Sequence, residues 1–158
     1  MYGVTSILTP RLSGDVPYHD GQQVLWRPGV STAKLTADQT FNSATPANVT
    51  GLSFAVASGT YYHFRFVVLF QSNTAGIGCR LGLTIPAVTT WGATVETHTS
   101  TDGAGGCTHG ALTSSGDSAT SANVEALNTD YVSIIEGLIL PSAAGTLHSL
   151  EGQGYVKH

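Results

Sequence analysis

Residues 61–70, Tyr-Tyr-His-Phe-Arg-Phe-Val-Val-Leu-Phe, constrain the fold more than any other stretch of the chain. Aromatic and β-branched side chains pack well on a pleated surface, so the run reads as a strand. A period of two places Tyr62, Phe64, Phe66, Val68 and Phe70 on one face and Tyr61, His63, Arg65, Val67 and Leu69 on the other. The first face is apolar apart from one phenol and belongs in a core. The second is mixed, which predicts a face partly covered by a loop or by another subunit.

Shorter runs of the same kind surround it. Residues 35–41 form a plausible strand, 42–47 a loop, and 49–56 an alternating strand with Leu52, Phe54 and Val56 facing inward. The separation at Ser58-Gly59-Thr60 is short enough for a hairpin, so strands 49–56 and 61–70 are expected to be neighbours in one sheet. Residues 77–85 put Ile77, Cys79, Leu81, Leu83 and Ile85 on one face and Gly78, Arg80, Gly82 and Thr84 on the other, and Pro86 ends the run. The alternating glycines predict close approach by a Phe or Tyr side chain from across a sheet or a subunit. Further strands are predicted at 93–99, 124–127, 131–140 and 146–150, with a short edge segment at 152–156. Residues 103–121, rich in glycine, serine and threonine, read as a long loop region interrupted only by Ala111 and Leu112. Seven to nine short strands, glycine-rich turns and no helix of three turns define an all-β chain, an antiparallel β-sandwich or jelly roll.

Residues 1–33 do not join this pattern. Pro10, Pro17 and Pro28 with Gly3, Gly14, Gly21 and Gly29 interrupt any element that begins there. Yet Tyr2, Ile7, Leu8, Leu12, Tyr18, Leu25 and Trp26 carry too much apolar surface for a solvated tail. Ordering an extended segment opposes about 1–2 kcal/mol of backbone entropy per residue. The segment is therefore expected to be an extended N-terminal arm that uses these side chains for assembly contacts, ahead of a sandwich domain at 34–158. The other reading is a set of short strands belonging to the main sheet.

Charged residues make up only 10% of the 158, with six Lys and Arg against ten Asp and Glu. This gives no electrostatic footprint for a phosphate backbone, and nucleic acid is not an expected partner. No stretch approaches the apolar length of a membrane span, and the first residues lack a signal-peptide pattern. Cys79 and Cys107 permit one disulfide without requiring it. Asn48-Val49-Thr50 matches the glycosylation pattern, which chance supplies readily in a threonine-rich chain.

Glu136 stands among Val132, Ile134, Leu138 and Leu140 on one face of the 131–140 strand. A carboxylate on an apolar face needs a partner, and Arg65 and Arg80 are the candidates. Arg65, which interrupts the central strand in the same way, is the favoured partner in a structural ion pair. Separation beyond hydrogen-bonding reach would defeat that assignment.

Catalytic chemistry is not legible. His63, His98, His109 and His148 fall on different elements, and no Gly-x-Ser-x-Gly elbow occurs. Cys107-Thr108-His109 comes closest to a site, but its two side chains are expected to diverge, so no metal and no cofactor is expected. Glu96 with Asp102, or Glu125 with Asp130, read as solvated surface rather than as a glycosidase pair. Trp26, Trp91 and Tyr131 could stack on a sugar ring, against a higher expectation that each is buried.

A resemblance is carried by Leu35-Thr36-Ala37-Asp38-Gln39-Thr40-Phe41, by residues 47–56 and 58–66, by Gly76-Ile77-Gly78-Cys79-Arg80-Leu81-Gly82-Leu83, and by Ile134-Ile135-Glu136-Gly137-Leu138-Ile139 with Pro141-Ser142 and Gly145-Thr146-Leu147. Over about residues 34–150 the chain resembles small structural proteins of tailed bacteriophages. The glycine-rich insertion near Gly103 and the short end after Leu150 depart from that pattern. The resemblance implies a virion component without catalytic residues. The expectation drawn from it is a capsid decoration (cement) protein that forms a symmetric oligomer, a trimer, and contacts the major capsid protein or another virion protein. A tail-associated fibre, tip or tube protein is the alternative, and a carbohydrate-binding module a more distant one.

Overall fold

The computed structural model describes residues 16–19, 24–27, 31–74, 76–100, 106–121, 123–152 and 154–156. The chain divides into two compact units, Met1–Thr32 and Ala33–His158. In the first, β1 (Val16–His19) and β2 (Val24–Arg27) pair antiparallel, Val16 opposite Arg27 and His19 opposite Val24. Part of the expected extended arm is therefore a strand ladder. Proline does not prevent it, because both strands of a two-stranded ladder are edges and Pro17 can turn its missing donor outward. Tyr2, Ile7, Leu8 and Leu12 lie outside the described residues, and Tyr18, Leu25 and Trp26 are described only as backbone members of this ladder.

The second unit contains β3 (Gln39–Phe41), β4 (Ala47–Val56), β5 (Tyr62–Gln71), β6 (Arg80–Thr84), β7 (Val88–His98), β8 (Cys107–Leu112), β9 (Ser118–Thr120), β10 (Tyr131–Pro141), β11 (Gly145–Gly152) and β12 (Gly154–Val156). They form a six-stranded sheet ordered β3-β12-β5-β10-β7-β8 and a four-stranded sheet ordered β4-β11-β6-β9. Every pairing is antiparallel. The all-β antiparallel sandwich expected from the sequence is the fold. The ten strands of this unit exceed the seven to nine expected because β8 and β9 form within residues 103–121, which the sequence reads as loop. No described residue belongs to a helix long and apolar enough to cross a membrane.

The core lies between the two sheets. From β5 it takes Phe64, Phe66, Val68 and Phe70, all buried as the period of two predicts. Opposite them on β10 stand Gly137, Ile135, Ser133 and Tyr131, and β7 adds Ala93 and Val95. The four-stranded sheet returns Val49, Leu52, Val56, Leu81, Leu83 and Leu147. Phe54 and Phe66 meet with ring centroids 5.3 Å apart, one contact joining the sheets. Removing a buried aromatic side chain from such a core costs about 3–5 kcal/mol.

Several local expectations are corrected. Strands β4 and β5 are consecutive but lie in different sheets, so residues 57–61 are a corner between sheets and not a hairpin. The corner is tied to the parallel crossing from β10 to β11: Gly59 N–H donates to Pro141 O at 2.8 Å and Ser58 Oγ to Ser142 O at 2.9 Å. Both strands have an apolar face, and facing them across a core buries both, which pairing edge to edge would not do. Within β4, Gly51 at φ +91° breaks the period, so that Val49 and Leu52, three apart, both point inward.

Residues 35–38 are not strand, and only Gln39–Phe41 pairs. Residues 124–127 are not strand: the chain bends at 125–126 and turns at 127–128, and the Tyr131 hydroxyl accepts from Ala126 N–H at 2.7 Å and donates to Ala126 O at 3.1 Å, taking up the backbone groups a ladder would use. Gly82 is approached not by an aromatic ring but by the backbone of Asp117 and Ser118 of the adjoining edge. The last segment, β12, is not an edge; it lies between β3 and β5. Residues 107–112 and 118–120, within the expected loop, extend the two sheets as β8 and β9. Ladder hydrogen bonds are made by the main chain, so a sequence without β-forming side chains can still complete a sheet edge.

Candidate functional site

The outward face of the six-stranded sheet collects the chemically distinctive residues of the second unit. Antiparallel register places His63, Arg65, Val67 and Leu69 of β5 beside Leu138, Glu136, Ile134 and Val132 of β10. On the other side of β10, Gly92, Thr94 and Glu96 of β7 continue the face, followed by Ala111 and His109 of β8. Apolar side chains on it are open to solvent: Val67 is 55% exposed, Leu138 58% and Leu69 38%. Small residues at Gly92 and Thr94 leave a shallow hollow beside His63, Glu136 and Leu138.

Both faces of β10 are apolar, and the periodicity does not say which faces the core. Pairing with β5 decides it: Tyr131, Ser133, Ile135 and Ile139 turn inward, whereas Val132, Ile134, Glu136 and Leu138 turn outward. Glu136 is therefore not a buried carboxylate. Arg65 is its direct cross-strand partner, with Nε 3.6 Å from Oε2, and the two side chains are about half exposed at 54% and 45%. That separation is an ion-pair distance but not a hydrogen bond. The hydrogen bond comes from His63, whose Nε2 lies 2.9 Å from Glu136 Oε1. The expected structural ion pair is thus a solvated surface contact, since no burial forces the charges together. Arg80 belongs to the other sheet, where Nε donates to Thr120 Oγ1 at 3.0 Å and a terminal guanidinium nitrogen to Ala44 O at 2.9 Å.

The second group of residues on this face lies where β7 meets β8. His98 is opposite Cys107 and Glu96 opposite His109. Glu96 Oε1 accepts from His98 Nε2 at 2.8 Å, and Cys107 Sγ lies 3.5 Å from His109 Nε2 and 3.7 Å from Glu96 Oε1. The expectation that Cys107 and His109 diverge fails because residues two apart on a strand share a face. Glu96 and His98 obey the same spacing one strand away, a signal readable as two x-any-x pairs once β8 is known to be a strand. Slight desolvation and the neighbouring Glu96 carboxylate both push the exposed Cys107 thiol above its ordinary range.

Cys79 and Cys107 are free thiols, one buried and one exposed. Cys79 instead donates to Glu151 Oε1 at 3.1 Å, inside the protein. Glu151 has no exposed surface, its Oε2 meets no partner, and burial raises its pKa to about 8. The register shift between His148 and Leu150 explains why sequence reading missed it: Ser149, Leu150 and Glu151 are all buried, which no strict alternation allows.

Of the aromatic residues considered for sugar stacking, Tyr131 is buried beside Phe70 and Trp91 packs partly buried against the core, while the Trp26 side chain lies outside the described residues. No family model matches the chain, and neither a curated protein nor a solved structure matches it.

Proposed function

We propose that this chain is a bacteriophage virion structural protein, a capsid decoration protein that works by surface contact and not by catalysis. The observation that carries the reading is the outward face of β5 and β10, where Val67, Leu69 and Leu138 stand exposed around the Arg65–Glu136 pair. A sheet face of this kind, apolar with a few charges to set register, suits a contact between copies of the chain. Low overall charge and an all-β sandwich without helices among the described residues agree with a shell component. Units bound at seams of the assembled shell would stabilise it by mass action, because the contact exists only once the shell has formed. In this reading the copies form a trimer through the β5–β10 face, and residues 1–33 engage the major capsid protein.

The test has two parts. Sedimentation of the purified chain should give a trimer that Val67→Glu together with Leu138→Glu converts to a folded monomer. Immunogold labelling of virions should mark the head. Label on the tail would favour the fibre, tip or tube reading, and a chain absent from virions would overturn both. The carbohydrate-binding alternative is disfavoured by the inward placement of Trp91 and Tyr131.

A further inference from the structure

We propose that Glu96, His98, Cys107 and His109 form a binding site for one thiophilic divalent cation, zinc above others. The inference is independent of the assembly reading. Two residues from each of two adjacent strands, in direct register, project from one face of the sheet, and each carries a metal-ligating group. The donor atoms of Glu96, His98 and Cys107 all lie within 4.8 Å of one another. His109 Nε2 joins them at 3.5 Å from Cys107 Sγ and 3.9 Å from Glu96 Oε2.

These separations have the right size. Zinc bonds of about 2.0–2.1 Å to nitrogen and oxygen and about 2.3 Å to sulfur put tetrahedral ligands about 3.3–3.8 Å apart, edge to edge. The closest contacts here run from 2.8 Å for Glu96 with His98 to 3.9 Å for Glu96 with His109, while His109 stands outside the three-residue group whose donors all lie within 4.8 Å of one another. A cation would need side-chain rotation, of His109 above all, to draw four donors around it, and Glu96, His98 and Cys107 already make a three-ligand cluster. The donor set of one thiolate, two imidazoles and one carboxylate is borderline-soft, which selects zinc over magnesium or calcium. Thiolate and carboxylate together carry the two negative charges that balance a divalent cation.

The backbone beneath is prepared to hold the ligands. Ser133 Oγ donates to Glu96 O at 2.9 Å, anchoring β7 from the β10 side. On the β8 side, Gly106 O accepts from Thr99 N–H at 2.7 Å and from Thr99 Oγ1 at 3.0 Å, fixing the start of the strand that carries Cys107. Strand β8 is the edge of the six-stranded sheet. An ion bridging it to β7 would staple an edge that has pairing on one side only.

The untagged full-length chain, stripped of metal and kept reduced, should be titrated with Co²⁺ as spectroscopic probe and then with Zn²⁺. The expected result is saturation at one equivalent, with a thiolate-to-cobalt charge-transfer band and tetrahedral visible bands, both abolished by Zn²⁺. Cys107→Ser should remove the charge-transfer band, and His98→Ala and His109→Ala should each weaken Zn²⁺ binding at least about tenfold. All three positions are exposed, so circular dichroism should report unchanged folding. Cys79→Ala and His63→Ala should leave the spectrum intact. Zn²⁺ should also raise the thermal midpoint of the wild type and not of Cys107→Ser. Absence of saturable one-equivalent binding, survival of the charge-transfer band in Cys107→Ser, or its loss in Cys79→Ala would overturn the proposal.

Discussion

Cys79 donates its thiol hydrogen to Glu151 Oε1 at 3.1 Å within the four-stranded sheet's buried layer, leaving Glu151 Oε2 without a partner. Desolvation raises both groups, the thiol well above its usual range and the carboxyl from 4.5 to about 8. Between those two values the native state keeps a proton that the unfolded chain has released. Stability must therefore fall as pH rises from about 4.5 to about 8, by up to about 1.4 kcal/mol per pH unit, and the raised Cys79 thiol extends the fall above the ordinary thiol range. Urea unfolding across this range should show that slope. Glu151→Gln should flatten it and gain relative to wild type as pH increases.

Asp117 has the opposite sign. Its carboxylate accepts from Thr113 N–H at 2.9 Å, Thr113 Oγ1 at 3.0 Å and Ser118 N–H at 2.8 Å, and these bonds hold its pKa below the ordinary value. The stabilisation is present above the unfolded carboxylate range and is lost as pH falls through the lower folded value. Asp117→Ala should loosen the turn between β8 and β9, detected as faster amide exchange at Thr113 and Ser118 at neutral pH. In acid the difference from wild type should shrink.

Arg65 and Glu136 make a small energetic contribution because both are about half exposed. Arg65→Met should change stability by less than about 1 kcal/mol, and a double-mutant cycle with Glu136→Gln should give a coupling that weakens in high salt. A coupling of several kcal/mol would mean that the pair is shielded from solvent in the assembled protein.

Gly137 sits on the inner face of β10, where an added Cβ would run into the Gly92 carbonyl, Ala93 Cβ and the tip of the Phe64 ring. The first of these is backbone and cannot move aside cheaply. Gly137→Ala should cost about 1–3 kcal/mol, the ordinary range for overpacking. Gly92, one register step away on the outer face, meets nothing within 4 Å of an added Cβ. Gly92→Ala should be neutral or slightly stabilising, so the two thermal midpoints together separate a steric effect from a general effect of substituting glycine.

The unit Ala33–His158 contains both sheets and the core between them. Deleting residues 1–26 should leave its thermal unfolding cooperative and near the wild-type midpoint and, on the proposed reading as a virion component, abolish incorporation into particles. Retained particle binding by the truncated chain would remove the assigned role of Tyr2, Ile7, Leu8, Leu12, Tyr18, Leu25 and Trp26.

Strand identity and inward faces were legible wherever one face was much more apolar than the other. The alternation in β5 and the run Cys79, Leu81, Leu83 and Ile85 lead directly to buried residues, because side-chain period is a local property of an extended chain. The choice of face in β10 was not legible, since Ile134 and Leu138 are as apolar as Ile135 and Ile139. Nor was the site at β7 and β8: Cys107 and His109 share a face only if residues 107–112 are extended, and Glu96 and His98 reach them only because β8 pairs with β7 in one register.

By itself, then, the sequence determined an all-β chain with a two-sided central strand and a distinct N-terminal segment. Tertiary structure alone decided that β4 and β5 separate into facing sheets, that Glu136 points to solvent while Glu151 is buried, and that a thiol, two imidazoles and a carboxylate converge. The physical reason is that periodicity is written in neighbouring residues, whereas sheet partners are chosen by main-chain hydrogen bonds and core packing between segments far apart in sequence.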